Sequence, residues 1–283
     1  MTLIQSEQNA AKEYKFATID GRDHLVELCR RNVALAEAAI RNDSAYLKSS
    51  DKEAGPRGSD KGSTAYWMLR LKDIVVDGNR FSRDNRCFEE VLKNAINSVD
   101  RENSTRLNAD GVGRDEMFNR LNDMKNRLED CLKNPMPDYE IMRVLVDLTH
   151  PKDDRHKARR NLSFASKFCQ EACFYLFDGL KEQDNFSKYD EVVRKVLPLY
   201  LSYYRINDIY TQEFEAKDIN AYMAYQKAID AIRDKLDENN KISRNGFDHL
   251  IWYYFKGRLS LLKGVNPEDL DASDSVTFTW ELI

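Results

Sequence analysis

The sequence lacks an apolar run of about eighteen residues, so no membrane-spanning helix is expected. Its opening stretch, MTLIQSEQNAAKEYKF, lacks the basic and apolar regions of a secretory signal, which makes the cytoplasm the expected location. There is no glycine-rich phosphate loop, no strand–helix alternation and no internal repeat. A surplus of positive charge is also missing. The net charge of −4 means that any nucleic-acid contact must rest on a local basic patch. Cysteine is scarce and odd in number: Cys29, Cys87, Cys131, Cys169 and Cys173 have no disulfide spacing. Cys169 and Cys173 share a helix face, but no second ligand pair accompanies them, so buried free thiols are expected and no metal or cofactor.

What is present is helical periodicity. The 283 residues are 42% hydrophobic and 33% charged, a mix that suits a folded chain of one large or two small domains. Helices are expected over 22–41, 64–77, 85–99, 114–134, 138–150, 189–204, 218–236 and 245–262, with a further one within 159–179. Pro135 and Pro137 stop the one over 114–134, and Pro198 lies inside the one over 189–204. The stretch 51–63 reads as a polar linker, 100–113 as a glycine-broken loop and 275–280 as a short strand. The expected fold class is all-α, a single multi-helix unit over 1–283. It is divisible into helical lobes of about 1–150 and 151–283 with a cleft between them.

The chemistry-bearing stretch begins with PKDDRHKARR (151–160), five Lys or Arg against two Asp. It leads into a helix whose apolar stripe is Ala165, Phe168, Cys169, Ala172 and Leu176, with Ser163, Ser166, Lys167 and Gln170 expected on the solvated opposite side. Cations beside a helix N-terminus suit a phosphate, which makes Arg155, Lys157 and Arg159 candidate phosphate contacts, of a nucleic-acid backbone if one is bound. Downstream, Asp190 precedes a helical run and fits an N-cap.

In order along the chain, these segments resemble the helix–hairpin–helix DNA glycosylases, most of all their archaeal 8-oxoguanine branch. The likeness covers roughly residues 64 to 260 and rests on short motifs. RNLSFASK (160–167) is similar to that branch's Lys-x-x-x-Phe-Ala-x-Lys, and FSKYDEVVRKVL (186–197) to its aspartate segment. FDHLIW offers Asp248 and Trp252 at the branch's Asp-x-x-x-Trp spacing, and TAYWML offers Trp67. The resemblance implies Asp190 as catalytic carboxylate, Phe164 and Trp67 against a flipped base, and Asp248 and Trp252 in contact with it. The Schiff-base lysine of the branch falls on Arg160, which stays protonated and is no amine nucleophile. A monofunctional enzyme is therefore expected unless Lys157 or Lys167 substitutes. The Gly-x-Gly hairpin signature is absent.

The resemblance implies a monomeric DNA N-glycosylase on modified double-stranded DNA. Its substrate is either 8-oxoguanine, in repair, or a hypermodified cytosine such as glucosylated hydroxymethylcytosine, in defence against phage. The polar loops at 51–63 and 100–113 are the candidates to line a deeper pocket for the latter. Two other readings compete. RNGFDH (244–249) fits the Arg-polar-x-x-x-His pattern of HEPN-type ribonucleases, with Arg244 and His249 acting on RNA. The remaining one is a helical interaction module without catalysis, for which Asp190 and Asp248 are dispensable.

Overall fold

In the computed structural model of the chain, the described residues are 18–19, 22–23, 62–76, 85–107, 112–147, 160–180, 183–209, 211–236 and 243–255. They are mostly helical, and the fold is all-α. The exception is a two-residue antiparallel pair, β1 (Thr18–Ile19) with β2 (Arg22–Asp23). Arg22 and Asp23 open the helix expected over 22–41 and are extended instead. The rest of that helix and the 275–280 strand lie outside the described residues. The chain folds into two compact units, one of Ser44–Lys188 with Ala216–Met223, the other of Met1–Asp43, Tyr189–Glu215 and Ala224–Ile283. The chain passes between the units at 43/44, 188/189, 215/216 and 223/224.

The unit built on Ser44–Lys188 contains six helices among the described residues. Helix α1 (Thr64–Val75) starts where the Tyr66 N–H donates to Ser63 Oγ at 3.1 Å, an N-cap that satisfies one of the orphan amides of the first turn. Helix α2 (Asn85–Asn103) buries Phe88, Val91, Leu92, Ala95, Ile96 and Val99, an unbroken i, i+3, i+4 stripe. It runs past the expected end at 99 into the polar stretch. Its end is tied by Asp100, whose carboxylate accepts from Thr105 Oγ1 at 2.6 Å, the Leu107 N–H at 2.9 Å and Arg114 Nε at 2.8 Å.

The single helix expected over 114–134 is two: α3 (Gly113–Asp123) and α4 (Leu128–Lys133). Helix α5 (Glu140–Val146) follows, shorter than expected, and then α6 (Leu162–Leu176). No Pro or Gly marks the break between α3 and α4. The turn there closes through short-range bonds such as Arg127 N–H to Met124 O at 2.8 Å, and buries Met124 and Leu128. It lets α3 pack on α2 while α4 packs on α6, so tertiary contacts override a continuous local pattern. Helices α1, α2, α4 and α5 all pack on α6, which makes it the central element of this unit.

The second unit contains α7 (Glu191–Tyr203), which runs through Pro198, and the 3-10 turn Thr211–Ala216 up to Glu215. It also contains α8 (Ile219–Leu236) from Ala224 onward, and α9 (Arg244–Phe255), which packs on α7. Val193, Val196 and Tyr200 of α7 are buried in this unit, as are Phe214 of the 3-10 turn, Tyr225 and Ile229 of α8, and Phe247 and Ile251 of α9.

Candidate functional site

Helix α6 departs most from its sequence reading. The apolar stripe is buried as expected, but the face expected to be solvated is buried too: Ser166 completely, Lys167 at 8% exposure and Gln170 at 2%. The reason is geometric. Four helices surround α6, and only Ser163, Glu171, Phe174 and Tyr175 keep partial access to solvent. Lys167 is therefore not a surface lysine. One turn beyond it, Glu171 pairs with Lys188 Nζ at 2.6 Å, both side chains mostly covered. Ser166 Oγ donates back to Ser163 O at 3.2 Å, while the Gln170 Oε1 acceptor has no hydrogen-bond partner among the described residues. An unmet buried acceptor costs about 1–3 kcal/mol, so this amide calls for an explanation.

Arg160 immediately precedes α6. It donates from Nη1 to Asp218 Oδ2 at 3.0 Å and to Ala216 O at 3.1 Å. Asp218 uses its other oxygen to accept the Ala221 N–H at 2.9 Å, which caps the start of α8. Phe164 is buried with its ring 5.8 Å from that of Phe168. Trp67 sits on α1, the helix packed on α6, at 6% exposure and edge-on to Tyr66 at 4.9 Å. Its indole lies so close over the chain that a Cβ at Gly62 would be 2.4 Å from Nε1. This unit thus gathers Trp67, Arg160, Phe164 and Lys167. Arg155, Lys157 and Arg159 lie outside the described residues.

The second unit holds the remaining candidates. Asp190 caps α7: its Oδ1 accepts the Val192 N–H at 2.8 Å, and its carbonyl accepts the Arg194 N–H at 2.9 Å. The preceding Tyr189 anchors this segment, with its hydroxyl donating to Phe214 O and its ring 5.1 Å from that of Tyr225. Asp248, at 4% exposure, and half-buried Trp252 stand one turn apart on α9, as their spacing implied. Arg244 opens α9 and grips Asp230 of α8 with two bonds, Nε to Oδ1 at 2.9 Å and Nη2 to Oδ2 at 2.8 Å. Arg233 Nη1 joins the same carboxylate at 2.8 Å. His249 Nδ1 is 2.8 Å from Asn245 O. Arg244 therefore serves as an inter-helix clamp.

Burial pushes the thiols of Cys169 and Cys173 well up, and pushes Cys131 to about 11, where the neighbouring Glu140 carboxylate adds to it. All three are free, buried and protonated at neutral pH, as expected of core thiols. Among the described residues no group of three His, Cys, Asp or Glu side chains is placed to hold a metal ion. No helix among them is long and apolar enough to cross a membrane.

Neither a family model, nor a curated protein, nor a solved structure matches this chain. Two features of the site escaped sequence reasoning. The Glu171–Lys188 pair joins residues 17 apart and leaves no local signal. The Gln170 amide had one: polar residues on successive turns of a helix otherwise rich in Ala, Cys and Phe.

Proposed function

We propose that the protein is a DNA N-glycosylase that flips a modified base out of the duplex, excises it and leaves an abasic site. The observation that carries the reading is the buried polar edge of α6, where the Gln170 amide is enclosed on the same helix as Phe164 and its Oε1 has no partner among the described residues. Burying such an amide is costly unless a polar group meets it. The other residues that carry the glycosylase resemblance support it by their local placement. Trp67 is on the helix packed against α6, and Asp190 is held by a capped helix start.

In this reading a base must leave the stack before its glycosidic bond is reached. Phe164 and Trp67 supply aromatic surface for it, and Asp248 and Trp252 add a carboxylate and an indole. Cleavage builds positive charge on the sugar. The Asp190 carboxylate stabilises that charge and takes a proton from the attacking water. Arg160 is engaged with Asp218 and offers no amine nucleophile, so the reaction stops at the abasic site. Arg155, Lys157 and Arg159 hold the DNA backbone, and the protein acts as a monomer.

The preferred substrate is a hypermodified cytosine such as the glucosylated hydroxymethylcytosine of phage DNA, with 8-oxoguanine as the alternative. Incubating the protein in parallel with glucosylated phage DNA and with 8-oxoguanine duplexes, then scoring abasic sites, tests this. Abasic sites in one of the two identify the substrate class. Their absence from both, alongside cleavage of an RNA probe, would favour the ribonuclease reading of Arg244 and His249.

A further inference from the structure

We infer that Tyr189 is a positioning residue for the Asp190 carboxylate, which it fixes by tying the start of α7 to the 3-10 turn that carries Phe214. The inference rests on the glycosylase reading and deepens it, because it adds to the proposed carboxylate the contacts that set its place.

Residues 184–190 form neither helix nor strand, yet Phe186, Ser187 and Tyr189 are buried. Connectors without regular structure ordinarily run over the surface and hold their course loosely. This one is pinned on both sides of Asp190. Before it, the Tyr189 hydroxyl donates to Phe214 O. One turn after it, Arg194 Nη1 pairs with Glu215, the next residue of the same 3-10 turn. The ring of Tyr225 closes the arrangement, 5.1 Å from that of Tyr189 and 6.0 Å from that of Phe214. All three rings are buried, so the hydroxyl bond is made in a low dielectric and away from competing water. Asp190 itself is half-buried, and its Oδ1 accepts the Val192 N–H at 2.8 Å, so the carboxylate goes where the first turn of α7 goes. A carboxylate that stabilises charge and orients a water has to be held within a fraction of an ångström by groups that packing has already locked. Tyr189 is such a group. Its ring is fixed by the neighbouring aromatics, and its hydroxyl reaches backbone and not a movable side chain.

The test compares wild type with Tyr189→Phe, which keeps the packed ring and loses only the hydroxyl. Single-turnover base release is measured across protein concentrations on glucosylated phage DNA and on 8-oxoguanine duplexes, with thermal unfolding recorded alongside. Tyr189→Phe is expected to lower the maximal rate by about tenfold or more while the half-saturating concentration stays near that of wild type. In an Asp190→Asn background, followed over long time courses, the same change is expected to have no further effect, because residues that act through one another are not additive. A purely structural loss moves both backgrounds alike. Glu215→Gln, at the mostly exposed end of the other tie, is the second variant should the first fail to fold. It too is expected to lower the maximal rate and not the half-saturating concentration. A maximal rate left intact in the folded variant overturns the inference, and so does an equal fall in both backgrounds or wild-type-like release by Asp190→Asn alone. In each of these cases base release by wild type preserves the glycosylase reading. No release of any base by wild type removes both.

Discussion

Arg160 and Asp218 form an ion pair at 3.0 Å in which the aspartate does two jobs, pairing with Oδ2 and capping α8 with Oδ1. The two substitutions should therefore differ. Arg160→Ala should cost at most about 1 kcal/mol, since a partly exposed pair is worth little. Asp218→Ala also removes the cap and should cost about 1–2 kcal/mol. Urea denaturation of both variants measures the difference, and equal losses would mean that the cap contributes nothing.

The same pair bears on the product. With Arg160 so engaged, wild-type protein should leave intact abasic sites and should not be trapped on DNA by borohydride. Trapping that survives Arg160→Ala and vanishes in Lys167→Ala would assign the nucleophile to the buried lysine instead.

Asp190→Asn isolates chemistry from folding. Asparagine caps helices about as well as aspartate, so α7 should keep its start and the variant its stability. Base release should fall on the order of 10²-fold or more once the charge is gone. Wild-type-like release would take Asp190 out of the mechanism.

Replacing Arg155, Lys157 and Arg159 together should weaken DNA binding and flatten its salt dependence, because with fewer phosphate contacts fewer counterions are released. Binding measured across a salt series checks this, and an unchanged slope would locate the DNA contact elsewhere on the chain.

Asp100 gives a pH dependence of stability. Burial acts to raise its carboxyl, but bonds from Thr105, Leu107 and Arg114 and the Arg114 charge outweigh that and hold it below the usual range. Its folded pKa is thus lower than its unfolded one. The stabilisation is fully present above the unfolded value of about 4 and is lost as pH falls through the folded value. Asp100→Asn should lower stability at pH 7 and show a weaker loss than wild type on acidification below about pH 4. Parallel denaturation at pH 7 and pH 3 measures it.

Local signals told most of the fold. The stripe of α2 and the Ser63 cap of α1 can be read from spacing and residue type, because both are set by neighbours three or four residues away. The one-turn spacing of Asp248 and Trp252 on α9 was readable for the same reason. What failed depended on distant parts of the chain. The polar side of α6 looked solvated because periodicity reveals one apolar stripe but not how many helices close around it. The split between α3 and α4 carries no breaker residue. The partner of Arg160 stands 58 residues away, and that of Arg244 is on another helix.

Gly62 and Trp67 meet as backbone against ring, closer than any side chain at position 62 would permit. The two positions are therefore coupled in descent. A chain that keeps the tryptophan has to keep the glycine five residues before it, whereas loss of the indole frees position 62 to vary. A distant cousin of this chain that carries the tryptophan should then carry the glycine as well, a mark that outlasts overall sequence similarity.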